Sequence, residues 1–517
     1  MDTRRRTANR TRVARAAFVL LALSSQALAL GCSSNRRLDG EPGTLGDERD
    51  YPPLQREFRG AWVATVANID WPSKPGLPVE EQKAELVALM NRAMELNLNA
   101  IVFQVRPACD AVYASELEPW SEYLTGTQGV GPQPEWDPLA FACDAAHARG
   151  MQLHAWFNPF RARQKDARSA EAATHISRTQ PGLVRRYGEM LWLDPGDPAA
   201  RQHSLRVMLD VVKRYDVDGV HIDDYFYPYP VKEGARTVPF PDDPTWEQHG
   251  SKTGLSRDDW RRSNINTFVR DLYAAVKREK PHVLVGISPF GIWRPGNPPG
   301  IKGFDAYEAI YADSLLWLRS GWCDYLSPQL YWPIAQKDQS YPELLKWWRG
   351  QNTLGRHLWI GNFTSKLNEG WKTDEIVNQI GVTRELGAGG NIHFSMKALL
   401  RDYGGVARRL ADGPYATAAL VPTTPWLGEA RVAAPEVRLQ APSAEGRRLV
   451  WRVDEGNPAF LIVVRAMYGE EWRVVFVPAG QGEFVLPTGT RDAALLRIAV
   501  SAVDRHGRLS APVVFAP

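Results

Sequence analysis

The sequence predicts an α/β fold, a (β/α)8 barrel followed by a small all-β sandwich, and three observations carry that prediction. Apolar runs rich in β-formers alternate with helical patterns eight times between residues 60 and 395, as eight parallel strands covered by helices require. Helix-to-strand connections are tight and strand-to-helix connections are long, an asymmetry that marks one end of a barrel as the working end. Beyond about residue 413 the helical pattern stops and short alternating strands replace it.

The eight strands are read at residues 60–66, 100–106, 152–158, 219–225, 282–288, 324–331, 357–363 and 391–395. Between the first two, Leu86, Leu89, Met90 and Ala93 recur at helical spacing within residues 80–96. Asn97-Leu98-Asn99, Arg149-Gly150 and Lys280-Pro281 are the tight turns, whereas residues 107–137, 159–195, 226–256 and 289–304 form the long loops. In a TIM-like barrel those loops crown the C-terminal ends of the strands. A Pro- and Ala-rich linker through Val421-Pro422-Thr423-Thr424-Pro425-Trp426 leads to strands at 449–453, 459–465, 472–478, 483–486 and 495–503. Their spacing fits a fibronectin III or Ig-like sandwich, and the closing Val500-Ser501-Ala502-Val503-Asp504-Arg505-His506-Gly507 resembles the last strand of a fibronectin type III module.

At the other end, Arg4, Arg5, Arg6, Arg10, Arg12 and Arg15 precede an apolar run, 16–30, too short to span a bilayer, which is the pattern of a signal peptide. It closes on Ala27-Leu28-Ala29-Leu30-Gly31-Cys32, which resembles the lipobox of bacterial lipoproteins, with Ala29 where leucine is usual. There the cysteine is acylated and becomes the new N-terminus; the alternative is an ordinary secretory signal with an incidental cysteine. Cys32 is therefore the expected lipidation site, and the chain is expected in the bacterial cell envelope as a membrane-anchored lipoprotein, periplasmic or surface-facing. The small, polar segment from Ser33 to about Asp50 reads as a flexible tether. The organisation is then leader 1–31, tether 32–55, barrel 56–412, linker 413–430 and β-sandwich 431–517.

The leader removes six arginines and Asp2 from a chain of net charge +3, which leaves a mildly acidic body. That balance argues against nucleic acid as a partner. Beyond Cys32 only Cys109, Cys143 and Cys323 remain, with no CxxC pair, so neither a disulfide framework nor a zinc site is expected. Each is expected as a buried free thiol, with one Cys109–Cys143 bridge the alternative. No cofactor is implied.

The chemistry is expected at Gly219-Val220-His221-Ile222-Asp223-Asp224-Tyr225-Phe226-Tyr227-Pro228, an apolar strand that ends in two carboxylates and an aromatic loop. A buried ionised carboxylate is costly unless paired or employed. Strand alternation, with apolar residues facing the helices, sends His221, Asp223 and Tyr225 into the lumen. The same rule adds Gln104, Arg106, His154, Trp156, Asn158, Ser288, Tyr325, Ser327, Gln329, Tyr331, His393 and Ser395. Any one of these has a structural explanation, a satisfied core histidine for His154 or His393 and neutralisation of Asp223 for Arg106. Their convergence on one end is what points to a site, with Asp223 the firmer candidate because Asp224 begins the rim.

These residues bring a family into view. Arg56-Glu57-Phe58-Arg59-Gly60-Ala61-Trp62-Val63-Ala64-Thr65, Phe103-Gln104-Val105-Arg106-Pro107, Glu118-Pro119-Trp120-Ser121-Glu122-Tyr123-Leu124-Thr125-Gly126, the fourth-strand motif, Ile287-Ser288-Pro289-Phe290-Gly291-Ile292-Trp293-Arg294-Pro295 and Tyr325-Leu326-Ser327-Pro328-Gln329-Leu330-Tyr331-Trp332 follow in order. Together they resemble the glycosyl hydrolase-like 10 family of bacterial envelope lipoproteins. The resemblance implies a barrel that hydrolyses glycan, and one member of the family cleaves peptidoglycan strands stripped of their peptides. Two carboxylates beside aromatics at a strand end make Asp223 and Asp224 the catalytic candidates. Trp62, Arg106, Asn158, His221, Tyr225, Trp293, Gln329, Tyr331, Trp332 and His393 are the substrate-binding candidates, with Tyr227 a further aromatic for stacking on sugar faces.

True family-10 glycosidases place an acid/base after strand four and a nucleophile at the end of strand seven, but strand seven here, His357-Leu358-Trp359-Ile360-Gly361-Asn362-Phe363, has no carboxylate. Strand five ends equally bare, in Ser288-Pro289-Phe290-Gly291. One reading makes Asp223 and Asp224 act together while a substrate 2-acetamido group serves as nucleophile. The other pairs Asp223 with Asp110, Glu116, Glu118, Asp305 or Glu308 from neighbouring loops. Two other classes compete: a metal-dependent hydrolase using His221, Asp223 and Asp224, and a non-catalytic envelope lectin whose β-domain positions the glycan or contacts an envelope protein.

Overall fold

The computed structural model describes residues 39–516 apart from 429, 430, 455, 457, 458, 491 and 492; the leader and Cys32 lie outside the described residues. Eight parallel strands close into a barrel: β1 Phe58–Val63, β2 Ala100–Arg106, β3 Gln152–Phe157, β4 Gly219–Ile222, β5 Leu284–Ile287, β6 Tyr325–Leu326, β7 His357–Asn362 and β8 Gly390–His393. β4 pairs with β5 and β8 with β1, so no barrel edge is left open. Helices return the chain between strands, among them α1 Val79–Glu95, α2 Pro138–His147, α3 Pro198–Arg214 and α4 Arg257–Glu279. On α1, Leu86, Leu89, Met90 and Ala93 are buried, the face that the spacing predicted. Local chemistry sets the starts: the Asp137 carboxylate accepts from the Leu139 and Ala140 amides with Pro138 in the first turn, and the Ser256 hydroxyl accepts from the Asp259 amide.

The lower lumen is filled rather than hollow. Phe58 and Trp359 stack with centroids 3.6 Å apart, and Tyr325 and His154 pack against them. Gly286 makes this possible, because a Cβ there would lie 1.8 Å from the Tyr325 ring. The plug shuts solvent out from below, so only the C-terminal end opens.

Two antiparallel sheets form the β-domain around one core. It sits on the N-terminal end of the barrel, away from β4's carboxylates. Arg505 bridges Asp218 at 2.6 Å and Asp216 at 2.5 Å, while Gln152 Nε2 donates to its carbonyl at 3.0 Å. Leu461, Val463 and Val503 complete an apolar seam with Leu54 and Leu420.

The predicted flexible tether is corrected within its described part. Glu41–Pro42 pairs with residues 438–439 of one sheet and Thr44–Leu45 with residues 513–514 of the other. Glu48 then receives the Arg465 guanidinium, and Tyr51 packs edge-on against Trp472. Polar composition misled here, because an edge strand needs backbone pairing more than apolar side chains. The three described cysteines are buried and free, and no described helix is long and apolar enough to cross a membrane.

A tether would tolerate mutation, whereas a strand-flanking clasp would not. Glu48→Ala leaves the buried Arg465 guanidinium without its carboxylate and is expected to cost about 1–3 kcal/mol, read as a lower urea midpoint for the β-domain transition.

Candidate functional site

Four strands deliver the site. Asp223 and Asp224 follow β4 directly, and each is 5% exposed. Asp223 accepts from Trp156 Nε1 on β3 at 3.1 Å, from the Asn158 side-chain amide just beyond β3, and from the Tyr225 amide at 3.4 Å. Asp224 accepts from the Tyr229 hydroxyl and from Gln329 Nε2 at 3.1 Å. The same Gln329 amide donates to the Ser288 carbonyl at 3.0 Å, tying the pair to the end of β5.

Burial and the adjacent Asp224 charge push the Asp223 carboxyl up to about 7. Asp224 is also raised, chiefly by burial, against the lowering effect of its Tyr229 and Gln329 hydrogen bonds. Like charges this close share protons, so near neutrality the pair is a proton-holding unit rather than two independent carboxylates. Such a unit can give and retrieve a proton.

Asn158 is locked in orientation. Its Oδ1 accepts from Gln104 Nε2 at 2.6 Å and from Arg161 Nη2 at 2.6 Å, so its NH2 must face Asp223. Gln104 is itself fixed, since its Oε1 accepts from the Thr65 and Val66 amides, each at 2.9 Å.

His221 faces the lumen as predicted but is consumed there. Trp62 Nε1 can only donate, so His221 Nε2 accepts it at 3.1 Å and Nδ1 donates to the Tyr325 hydroxyl at 3.0 Å. The Tyr325 hydroxyl donates to His154 Nδ1 at 2.8 Å, and His154 Nε2 donates to Gln152 at 3.2 Å. Burial lowers His154 to about 4 and His221 well below its ordinary value, so both imidazoles are neutral. With both nitrogens engaged, His221 offers no lone pair to a metal, and Trp62 lies inside the plug rather than on the crown.

Two lumen assignments are corrected. Arg106 leaves the lumen because the β2–β3 register shifts between Gln104 and Arg106, setting Arg106 opposite the outward Phe157. It forms a bidentate pair with Glu118 at 2.5 and 2.7 Å and donates to the Asn158 and Pro159 carbonyls. His393 also points outward, opposite Ala61, and bonds Thr364 and the Tyr415 hydroxyl. On β8 it is the apolar Ile392 that joins the lumen cluster, because the aromatic plug gives the interior an apolar demand that the alternation rule assigned to the helices.

Among the remaining aromatics, Tyr225 lies under the Arg161 guanidinium, and Tyr331, whose hydroxyl is raised by burial and by the negative pair, packs against Phe363. Trp293 instead donates to Asp313 and stacks on Trp347, Trp332 packs on Phe290, and Tyr227 is buried against Phe240 and Tyr311. The loop acids are committed as well: Glu118 to Arg106 and His203, Asp305 and Glu308 to Arg294. Asp110 is buried among Gln128 and the Ala108 amide, and Glu116 is exposed. Tyr229 and Arg161 were missed in the sequence because they lie beyond the eight barrel strands, where the barrel's alternation says nothing.

The profile of the glycosyl hydrolase-like 10 family matches residues 57–378, which hold all of these groups except those at the end of β8 and beyond it. The chain belongs to the glycosyl hydrolase-like 10 family. Within it, the chain is 41% identical over 385 residues to glycosyl hydrolase YngK of Bacillus subtilis (strain 168), covering 72% of this chain and 74% of that one. It is 35% identical over 333 residues to glycosyl hydrolase DigH of Escherichia coli (strain K12), covering 60% and 74%. Among solved structures, the PgaB (BpsB) glycoside hydrolase domain from Bordetella bronchiseptica superposes with a TM-score of 0.46 at 14% identity, covering 69% of this chain and 98% of that domain. Membership in the glycosyl hydrolase-like 10 family makes this barrel an enzyme, a glycosidase.

The geometry separates support from contact within this glycosidase. Arg106→Met leaves the buried Glu118 carboxylate with His203 alone and is expected to cost about 3–5 kcal/mol in chemical denaturation, while KM for glycan in the protein that remains folded stays unchanged.

Proposed function

We propose that the chain hydrolyses cell-envelope glycan, with peptide-free peptidoglycan strands as substrate, and that the substrate's 2-acetamido group attacks the anomeric carbon. The observation that carries this reading is the buried acid pair at the end of β4, with no carboxylate at the ends of β5 and β7 among the described residues. β5 is followed by Ser288 and β7 ends at Asn362, whose amide serves Gln379. Glu118, Asp305 and Glu308 are held by arginines. A conventional glycosidase needs a second carboxylate across the scissile bond. Here the second carboxylate is the first one's neighbour, which suits one group orienting an acetamide N–H while the other protonates the leaving oxygen. The acetamide oxygen then forms the bond to the anomeric carbon as the glycosidic bond breaks, and water reopens the cyclic intermediate after the acid has become a base.

An envelope location agrees with this substrate. The lipobox-like Cys32 precedes Glu41 by nine positions, and the segment 41–45 enters the β-domain, on the end of the barrel opposite the acid pair. An acyl anchor there leaves the cleft facing away from the membrane. Cys32→Ser is expected to move the protein from the membrane fraction to the soluble fraction of the envelope.

The central test is Asp223→Asn and Asp224→Asn on peptide-free strands, with released products identified by mass spectrometry. Each is expected to lower kcat by about 10²–10⁴-fold. Full activity in both would sink the assignment, and equal cleavage of strands lacking the N-acetyl group would remove the acetamide from the mechanism. Glycan retention without release of reducing ends would favour a lectin.

The raised Asp223 carboxyl gives two signs of pH dependence. The proton needed for leaving-group protonation is present below about 7, so kcat/KM should fall as pH rises past that value. The folded state also binds this proton where an unfolded aspartate has lost it, so the associated stability is full below the ordinary carboxylate range and is lost as pH rises through about 7. Asp223→Asn should therefore melt higher than the parent at pH 8, and the gain should vanish at pH 4.

A further inference from the structure

We propose that Arg161 is a positioning residue for hydrolysis, fixing the Asp223 carboxylate through Asn158 and holding the acid pair in its proton-sharing state by its own charge. The inference rests on the reading of Asp223 and Asp224 as the reaction centre. Arg161 is 3% exposed and sits where the loops after β2 and β3 meet. Its Nε donates to the Pro107 carbonyl at 2.9 Å and its Nη2 to Asn158 Oδ1 at 2.6 Å, while its Cζ lies 4.9 Å above the Tyr225 ring. Its backbone is fixed too, because Arg161 pairs with Trp192 in a three-stranded sheet on the rim. The guanidinium thus has its hydrogen bonds to neutral oxygens, and no described carboxylate closes an ion pair with it.

A buried arginine without a dedicated carboxylate is costly, and the anionic pair next to it supplies the compensation. Its charge opposes the upward push on both Asp223 and Asp224. The other groups that face the pair are Tyr225, Tyr229 and Tyr331, whose hydroxyls are all raised and neutral, and His221, which is neutral as well. Among the described residues facing the pair, Arg161 is the cation. Without it two like charges would share a dry site with nothing to offset them, and the pair would keep a second proton into neutral pH.

The two roles separate by substitution. Arg161→Met removes charge and fork, whereas Arg161→Lys keeps the charge and loses the planar fork that locks Asn158. In the full chain labelled with ¹³C-carboxyl aspartate, the pair is identified by the signals lost in Asp223→Asn and Asp224→Asn and titrated without substrate. Arg161→Met is expected to raise the titration by about one pH unit and to move the kcat/KM profile on peptide-free strands the same way. Arg161→Lys is expected to leave the titration in place and to lower kcat at unchanged KM. An unshifted titration in Arg161→Met, with the fold intact by melting, overturns the proposal. A shifted titration alongside fully active Asp223→Asn and Asp224→Asn instead overturns the placement of the reaction centre and leaves the electrostatic role of Arg161 standing. If Arg161→Met does not fold, Arg161→Gln, which can still donate to Asn158, carries the same titration test.

Discussion

Two adjacent carboxylates are buried at the end of one strand, and the rest of the barrel can be understood as what that arrangement requires. Like charges out of water repel and are poorly solvated, so they persist only with donors aimed at them and with a proton to share. Trp156, Asn158, Tyr229 and Gln329 supply the donors, and they come from β3, from the loops after β3 and β4, and from the loop after β6. The aromatic plug of Phe58, Trp359, Tyr325 and His154 keeps water from reaching the pair from below. A polar substrate entering from the crown then meets acids that have no competing bulk solvent, where each hydrogen bond is worth more.

The plug is also a directional hydrogen-bond chain. From the Trp62 indole through His221, Tyr325 and His154 to Gln152, each donor finds one acceptor, and Gln152 hands the chain to the Arg505 carbonyl of the β-domain. Both imidazoles stay neutral because burial gives protonation no compensation. The histidines that looked like ligands or catalysts are therefore satisfied core groups, and the β-domain contributes to the floor of the barrel rather than to its mouth.

How much of this was legible depended on whether a residue obeyed strand alternation. Asp223, His221, Asn158, His154 and Gln329 did, and they stand where the period-two rule put them. Arg106 failed by one register shift after Gln104, a single extra residue that turned it from lumen to shell. His393 failed because the rule assumed a polar lumen throughout, whereas the lower lumen is apolar and Ile392 fills it. Trp62, Trp293 and Trp332 show a third limit: a tryptophan near a strand end is equally suited to packing and to stacking on a sugar, and only its neighbours decide.

The sequence by itself determined the eightfold alternation of strand and helix, the long loops at one end of the barrel, the adjacent carboxylates Asp223 and Asp224 at a strand end, and the family, because each is written in local spacing or contiguous motif. Tertiary structure alone decided that Glu118, Asp305 and Glu308 belong to arginines, that residues 41–45 complete two sheets by pairing with residues 438–439 and 513–514, and that Arg161 reaches the acid pair through Asn158. Those outcomes rest on contacts between segments distant in the chain, where burial and the availability of a partner override what a residue's own type and position suggest.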